Sequence, residues 1–482
     1  MTDSSSNSVV IIGGGPAGLG AALMLAKRGW TNIKVIEKRP SADYYEPDKS
    51  FNYQIDGRGQ KLTDLLNITG QLADLSVPNT EFYITIIKSD GTRQMRKLPI
   101  ADPNRKTAYW LARPSFMRLL YDEIQEHWQE AIQVLFQTKC VELKPFSNRL
   151  EVQTQSQDIE AKTFHPKLII GCDGLNSIVR QTLHQIEGDS HSFAMEKYPS
   201  PSSGLKYKVL TFPPQFPLSE QAGDVAKPTM AYAFRSQFKE RKKAISLGLL
   251  PFKDPNQPRT ANIITYNDHY IWQLETPEEV EAFLKKSFPQ LPLDKIISDE
   301  EIARFTASEG GKFPIPQYCS GLYKIVGEPE KEKGTAILLL GDAVHCFPPD
   351  IGQGVNSALE DIYIFHELLA ETNDNLLEAL PRYQTQREED VKALIRLVQI
   401  SYPWQYNQDL LQKRLWTVNF LIRLFLHRIL PFLFQPHSFL LIQNHELSYS
   451  DILAKSNRTT RLLFSLGGLG VLVLLFIVFR NL

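Results

Sequence analysis

Val9-Val10-Ile11-Ile12-Gly13-Gly14-Gly15-Pro16-Ala17-Gly18 is the stretch that decides how this chain is built. Four branched apolar residues predict a buried strand, and the glycines after them predict a turn into a helix. Gly13, Gly15 and Gly18 stand at G-x-G-x-x-G spacing. The first permits a tight turn, the second lets backbone approach a pyrophosphate, and the third lets helix and strand pack closely. The helix N-terminus then points free N–H groups at phosphate. A second strand, Ile33 to Ile36, ends in Glu37, an acid placed to accept both ribose hydroxyls of an adenosine. Strand, turn, helix and strand together predict a Rossmann-like α/β nucleotide-binding unit.

Working outward, Lys167 to Cys172 has a buried-strand pattern and runs into Asp173-Gly174, and Ala336 to Leu340 runs into Gly341-Asp342. Between them lie short β-rich runs: Tyr207 to Phe212, Met230 to Phe234, Ala244 to Leu250 and Ala261 to Tyr266, separated by turn residues. Thr276-Pro277-Glu278-Glu279 predicts a capped helix start. The nucleotide-binding unit is therefore expected in pieces, at 1–75, 111–190 and 316–400. A β-rich substrate domain at 191–315, with a hairpin at 76–110, is expected as an insertion, and a helical, membrane-facing region at 401–457.

The chain has 482 residues, 53 Lys and Arg against 54 Asp and Glu, and a formal net charge of -1. That balance supplies no electrostatic footprint for nucleic acid. Four cysteines, Cys140, Cys172, Cys319 and Cys346, form no CxxC pair, and no His/Cys spacing suggests a metal. Residues Leu462 to Phe479 include fourteen Leu, Ile, Val or Phe in eighteen positions. As a helix this run spans about 27 Å, close to the hydrocarbon thickness of a bilayer. Arg458 and Arg461 precede it, so a single-pass C-terminal anchor with the catalytic part facing the cytoplasm is expected. Leu410 to Phe434 instead predicts an amphipathic helix. Lys413, Arg414, Arg423, His427 and Arg428 lie on one half, and Leu411, Leu415, Val418, Ile422, Phe425, Leu426 and Ile429 largely on the other. It suits a headgroup region, a cover over the substrate domain, or a place on the core.

Two later segments separate FAD from NAD. Ile169-Ile170-Gly171-Cys172-Asp173-Gly174, continuing to Arg180, and Leu339-Leu340-Gly341-Asp342-Ala343 resemble fingerprints of the single-component FAD-dependent aromatic hydroxylases related to p-hydroxybenzoate hydroxylase. The resemblance implies FAD as cofactor, NADPH or NADH as reductant and O2 as co-substrate, with oxygen activated on the flavin. One oxygen atom then passes to an electron-rich aromatic ring. It further implies that Asp342 holds the ribityl chain, that Arg113 contacts FAD, and that Asp173 and Arg180 serve FAD or the nicotinamide nucleotide. Pro349, Gly352, Gln353, Gly354 and Asn356 would surround the flavin ring. Gly352 and Gly354 leave room for a flat ring, and the helix that follows faces the edge where reduced flavin carries negative charge. His345 and Cys346 are read as packing or hydrogen-bonding residues.

Within that family the chain is similar to the kynurenine 3-monooxygenases. The likeness runs through Gly352-Gln353-Gly354-Val355-Asn356, Glu360-Asp361, Ala282 to Pro289, and Ser50-Phe51-Asn52 with Gly57-Arg58-Gly59-Gln60, which implies a cofactor-side place for Arg58. It breaks where that family holds the substrate carboxylate. Phe82 and Ile100 stand where an arginine and a tyrosine are expected, Arg93 and Arg96 are out of register, and Asp350-Ile351 replace two aromatic residues. Without a positioned cation a carboxylate is poorly held, so a lipophilic ring or polyene is an alternative substrate. A membrane-anchored flavin reductase or dehydrogenase, and an inactive flavoprotein scaffold, are the rival readings.

Overall fold

The computed structural model describes residues 8–49, 52–81, 83–97, 105–146, 149–156, 162–254, 257–329 and 333–480. Phe82 and Ile100 lie outside the described residues, as do Ser50 and Phe51.

Val9–Ile12 is a central strand, with Leu168–Gly171 on one side and Ile33–Ile36 on the other. Among the described residues these belong to a six-stranded sheet, completed by Lys333–Leu339, Tyr323–Glu328 and Ile132–Leu135. All neighbours are parallel except Tyr323–Glu328, which runs antiparallel at one edge. Near-continuous Val, Ile and Leu suit strands covered on both faces. The helices Pro16–Lys27 and Gly354–Glu371 pack against each other beside this sheet. Strands more than 320 residues apart in sequence thus share one sheet, with Leu168–Gly171 between Val9–Ile12 and Lys333–Leu339, which places the glycine turn, Asp173 and Asp342 at one end of it. That end, beyond the carboxyl termini of the parallel strands, is where open α/β sheets bind ligands.

A second sheet holds seven strands among the described residues, in the order Gly311–Lys312, Lys206–Phe212, Arg259–Thr265, Ser246–Leu249, Ala231–Arg235, Tyr83–Ile87 and Arg93–Lys97. The early hairpin joins the inserted sheet through a parallel pairing of Tyr83–Ile87 with Ala231–Arg235. One face is packed by Phe212, Phe216, Phe234, Phe288 and Phe305, all buried. The helices Pro277–Ser287 and Asp299–Ala307 supply part of that core. The first starts as expected: Glu279 N–H donates to Thr276 Oγ1, and the Glu279 carboxylate accepts from the Thr276 N–H. Val77–Asn79 and Ala108–Ala112 pair in a small separate sheet with Asn52–Ile55, so only the middle of 76–110 belongs to the large sheet.

Leu410–Ile429 is a helix, but its apolar half does not pack on the core. Leu411, Leu415, Val418, Ile422, Phe425 and Ile429 are exposed, while Arg423 is buried. Arg423 donates from Nη2 to Thr460 Oγ1 at 2.7 Å and from Nη1 to the Ser456 carbonyl at 3.2 Å, both on the final helix. That final helix, Tyr449–Arg480, starts against Leu376–Ile400. Among the described residues no helix is long and apolar enough to cross a membrane. The expected span is therefore not supported, and its side chains from Gly467 onward lie outside the described residues.

Candidate functional site

The site is built from the glycine turn upward. Gly13 has φ +102°, and a Cβ there would lie 2.3 Å from the Cys172 carbonyl oxygen. A Cβ on Gly18 would lie 1.8 Å from the Gly13 carbonyl oxygen, so Gly18 is what lets the helix close on the strand. Gly15 faces open space, and the helix it precedes has no side-chain cap on its N–H groups. Glu37 is held toward this turn, accepting from Gly14 N–H at 2.7 Å through Oε2 and from Arg39 N–H at 2.8 Å through Oε1. Asp173 caps the helix Ile178–Glu187, accepting from Ile178 N–H at 2.6 Å through Oδ2, while its buried Oδ1 has no partner. Burial pushes the Asp173 carboxyl above its usual range.

The loop Pro348–Gly354 forms the other end. Gly352 has φ +64°, and nothing lies within 4 Å of a Cβ on Gly352 or Gly354. The helix Gly354–Glu371 likewise begins without a side-chain cap. Asp342 is exposed to the cavity, and the protein enclosing that space holds its carboxyl above the usual range, with His345 acting in the opposite direction. Gln353 lines the same cavity, fixed between Asp56 Oδ2 at 2.7 Å and the Tyr449 hydroxyl at 2.8 Å. Arg113 lines it beside Tyr53. Cys346 also lines it, but burial holds its thiol well above the usual range, which disfavours the thiolate.

Three expected contacts are placed elsewhere. Arg58, expected on the cofactor side, is 1% exposed. Its guanidinium donates to Glu360 at 2.7 Å and to the Leu447 carbonyl at 2.7 Å, and lies over the Tyr449 ring. A buried guanidinium needs that acid, and the acid lies behind the loop rather than in the cavity. Arg180 donates to the Ala343 and Leu175 carbonyls, tying the two acidic turns together instead of reaching the cavity. Asn356 is fully buried and braces the loop. It donates to the Gln54 and Gly352 carbonyls and accepts from Asp56 N–H, because its place in the first helical turn faces the protein.

Behind the loop is a charged network that sequence reasoning missed. Arg387, 0% exposed, donates to Asp361 at 2.7 Å and to Glu360 at 3.0 Å. Asp361 accepts from Gly341 N–H at 2.8 Å and pairs with His345 Nε2 at 2.9 Å, so the network holds the turn that presents Asp342. His345 thus has the hydrogen-bonding role expected of it. The adjacent acids Glu360-Asp361 were a visible signal; their partner Arg387, 26 and 27 residues on, was not.

Between the two ends lies a cavity of about 2200 Å³ that also reaches Tyr207, Phe238, Leu247, Tyr402 and Tyr406. Ordinary small-molecule pockets hold roughly 300–1000 Å³. This one has room for a dinucleotide and a second molecule. Uncapped helix starts, an acid at the glycine turn, an unfilled cradle at Gly352 and Gly354, and Asp342 facing the cavity fit FAD. The fold and site define a dinucleotide-dependent flavoprotein.

The family model described as an FAD binding domain matches residues 6–200 and 330–398, leaving out most of the inserted sheet. The chain belongs to this family, that of the FAD-dependent aromatic-ring monooxygenases, and is a flavoprotein monooxygenase. It is 27% identical over 357 residues to kynurenine 3-monooxygenase of Dictyostelium discoideum, covering 73% of this chain and 68% of that protein. The corresponding protein of Salinispora arenicola (strain CNS-205) is 24% identical over 466 residues, covering 94% and 92%. Among solved structures, a ternary complex of aklavinone-11 hydroxylase with FAD and aklavinone superposes with a TM-score of 0.58 at 15% identity, covering 84% of this chain and 70% of that one.

Proposed function

We propose that this protein inserts one atom of O2 into an aromatic substrate of the kynurenine type, with NADPH or NADH as reductant. The observation that carries it is the continuous cavity, which joins the flavin loop to an aromatic-lined space under the inserted sheet. FAD supplies the redox and oxygen chemistry when bound. The chain's own residues do the rest. Glu37 and the glycine turn receive the adenosine and pyrophosphate, Asp342 accepts from the ribityl chain, and the Gly352–Gly354 backbone supports the ring. Tyr402, Tyr406 and Phe238, which line the cavity, offer the ring an apolar setting. No side chain is needed as a nucleophile.

The test is NADPH oxidation by FAD-loaded protein with L-kynurenine, following hydroxylated product and hydrogen peroxide together. Stimulated oxidation with matching product supports the reading. FAD retention without any oxygenated aromatic product would overturn it.

The protein is further proposed to work at a membrane surface, its catalytic part on the cytoplasmic side. Two features support this: the Leu462–Phe479 run, and the exposed apolar half of Leu410–Ile429, whose first two residues also line the cavity.

A further inference from the structure

Arg235 ends the strand Ala231–Arg235, in which Phe234 enters the core of the inserted domain while Ala233 and Arg235 line the cavity. Its Nη1 donates to Ser246 Oγ at 2.7 Å on the paired strand. Tyr402, Gln405 and Tyr406 line the same cavity. Lys413, in the first turn of Leu410–Ile429, reaches back with Nζ to Asn407 Oδ1 at 2.7 Å and to the Gln405 carbonyl at 3.4 Å. Arg96, on the edge strand Arg93–Lys97, donates to Gln94 Oε1.

These cations differ from others in the same domain. Arg93 is paired with Asp224, Lys97 with Glu81, Arg304 with Glu301 and Lys285 with Glu281. Among the described residues, Arg235, Lys413 and Arg96 have no carboxylate within ion-pair distance. Arg235 is exposed to the cavity and Lys413 is half-buried. Loss of solvent around them lowers the pKa of both; Arg235 and Arg96 lower that of Lys413 further, and Arg96 acts in the same direction on Arg235 while Tyr402 opposes it. Two acids line the cavity nearby, and both are occupied. Asp409 caps its helix by accepting from Leu411 and Gln412 N–H, and Asp350 is held by Ser202 and Gln405. Of the three only Arg235 lines the cavity; Lys413 and Arg96 bear on it through their charge. Like charges without an acid disfavour one another, and an incoming anion relieves them.

We propose that Arg235, supported by Lys413 and Arg96, receives a carboxylate of the aromatic substrate. This deepens the monooxygenase reading and rests on it. The substrate class is an aromatic acid: the ring takes the aromatic-lined part of the cavity and the carboxylate takes the guanidinium fork, whose planar donors suit two oxygens. A cation thus serves the cavity from the inserted sheet itself, where the hairpin positions Phe82 and Ile100 offer none.

The test titrates benzoate, 2-aminobenzoate and L-kynurenine, each beside its carboxamide, into FAD-loaded full-length protein, reading the flavin absorbance. At least one carboxylate is expected to bind about tenfold or more tighter than its carboxamide. Arg235→Met and Lys413→Met should each erase most of that preference, with Arg235→Lys recovering part of it. Carboxylates binding no better than carboxamides, or a preference unchanged in Arg235→Met, would overturn the proposal. So would a raised KM for NADPH in Arg235→Met with carboxylate preference intact, which would assign the cations to a nucleotide phosphate. NADPH-driven flavin reduction and oxygenated product are measured on the same preparation. Their absence beside an intact carboxylate preference sinks the monooxygenase reading and not the site.

Discussion

Replacing Asp350 with asparagine should make the protein more stable at pH 8 and leave it little changed near pH 4. Asp350 is 4% exposed, with Oδ2 accepting from Ser202 Oγ and Oδ1 from Gln405 Nε2 at 3.1 Å. Burial outweighs those bonds and lifts its pKa from 3.8 to about 7. Folding therefore raises this pKa, and the folded state keeps a proton that the unfolded chain releases between these two values. The group weighs least against folding below pH 3.8. Stability is lost progressively as pH rises toward 7, and the penalty is constant above that. A shift of about three units at about 1.4 kcal/mol each gives a ceiling of about 4 kcal/mol at pH 8. Asparagine cannot ionise, but its amide forces the Ser202 hydroxyl to reorient, at a cost of about 1 kcal/mol. The net gain expected at pH 8 is about 1–3 kcal/mol, measured by denaturant unfolding of FAD-loaded wild type and variant from about pH 4 to about pH 8.5. A stability difference that does not change with pH would refute the reasoning.

Gly18→Ala should abolish flavin retention, since its Cβ falls 1.8 Å from the Gly13 carbonyl oxygen; a purified variant with full flavin-to-protein absorbance ratio would contradict this. Arg387→Met strands Asp361 and part of Glu360 in the core and should cost about 3–5 kcal/mol in unfolding free energy. A loss under about 1 kcal/mol would show the network to be dispensable. Phe425→Glu, at a residue 63% exposed, should weaken binding to anionic lipid vesicles about tenfold or more. Unchanged co-sedimentation would remove the helix Leu410–Ile429 from the membrane contact.

Local patterns were legible where backbone geometry alone sets the requirement. Gly13, Gly15 and Gly18 declare a turn, a phosphate approach and a close packing before any tertiary contact is known. Glu37 follows because a parallel strand of fixed length ends there. The Thr276 cap needs only residues within one helical turn, and the alternation from buried strands to short β-rich runs announced an inserted sheet. Charged side chains were less readable, because their partners are distant in sequence. Arg58 looked like a cofactor contact until Glu360 and Tyr449, 302 and 391 residues away, enclosed it. Asn356 lay in a cofactor motif yet turned inward to the Gln54 carbonyl. The amphipathic pattern of Leu410–Ile429 defined two faces without saying which was buried, and the structure turned Arg423 inward and the leucines outward. Periodicity along a chain states that one face differs from another. Which face meets protein, and which acid meets which base, is decided only when segments hundreds of residues apart compete for the same space.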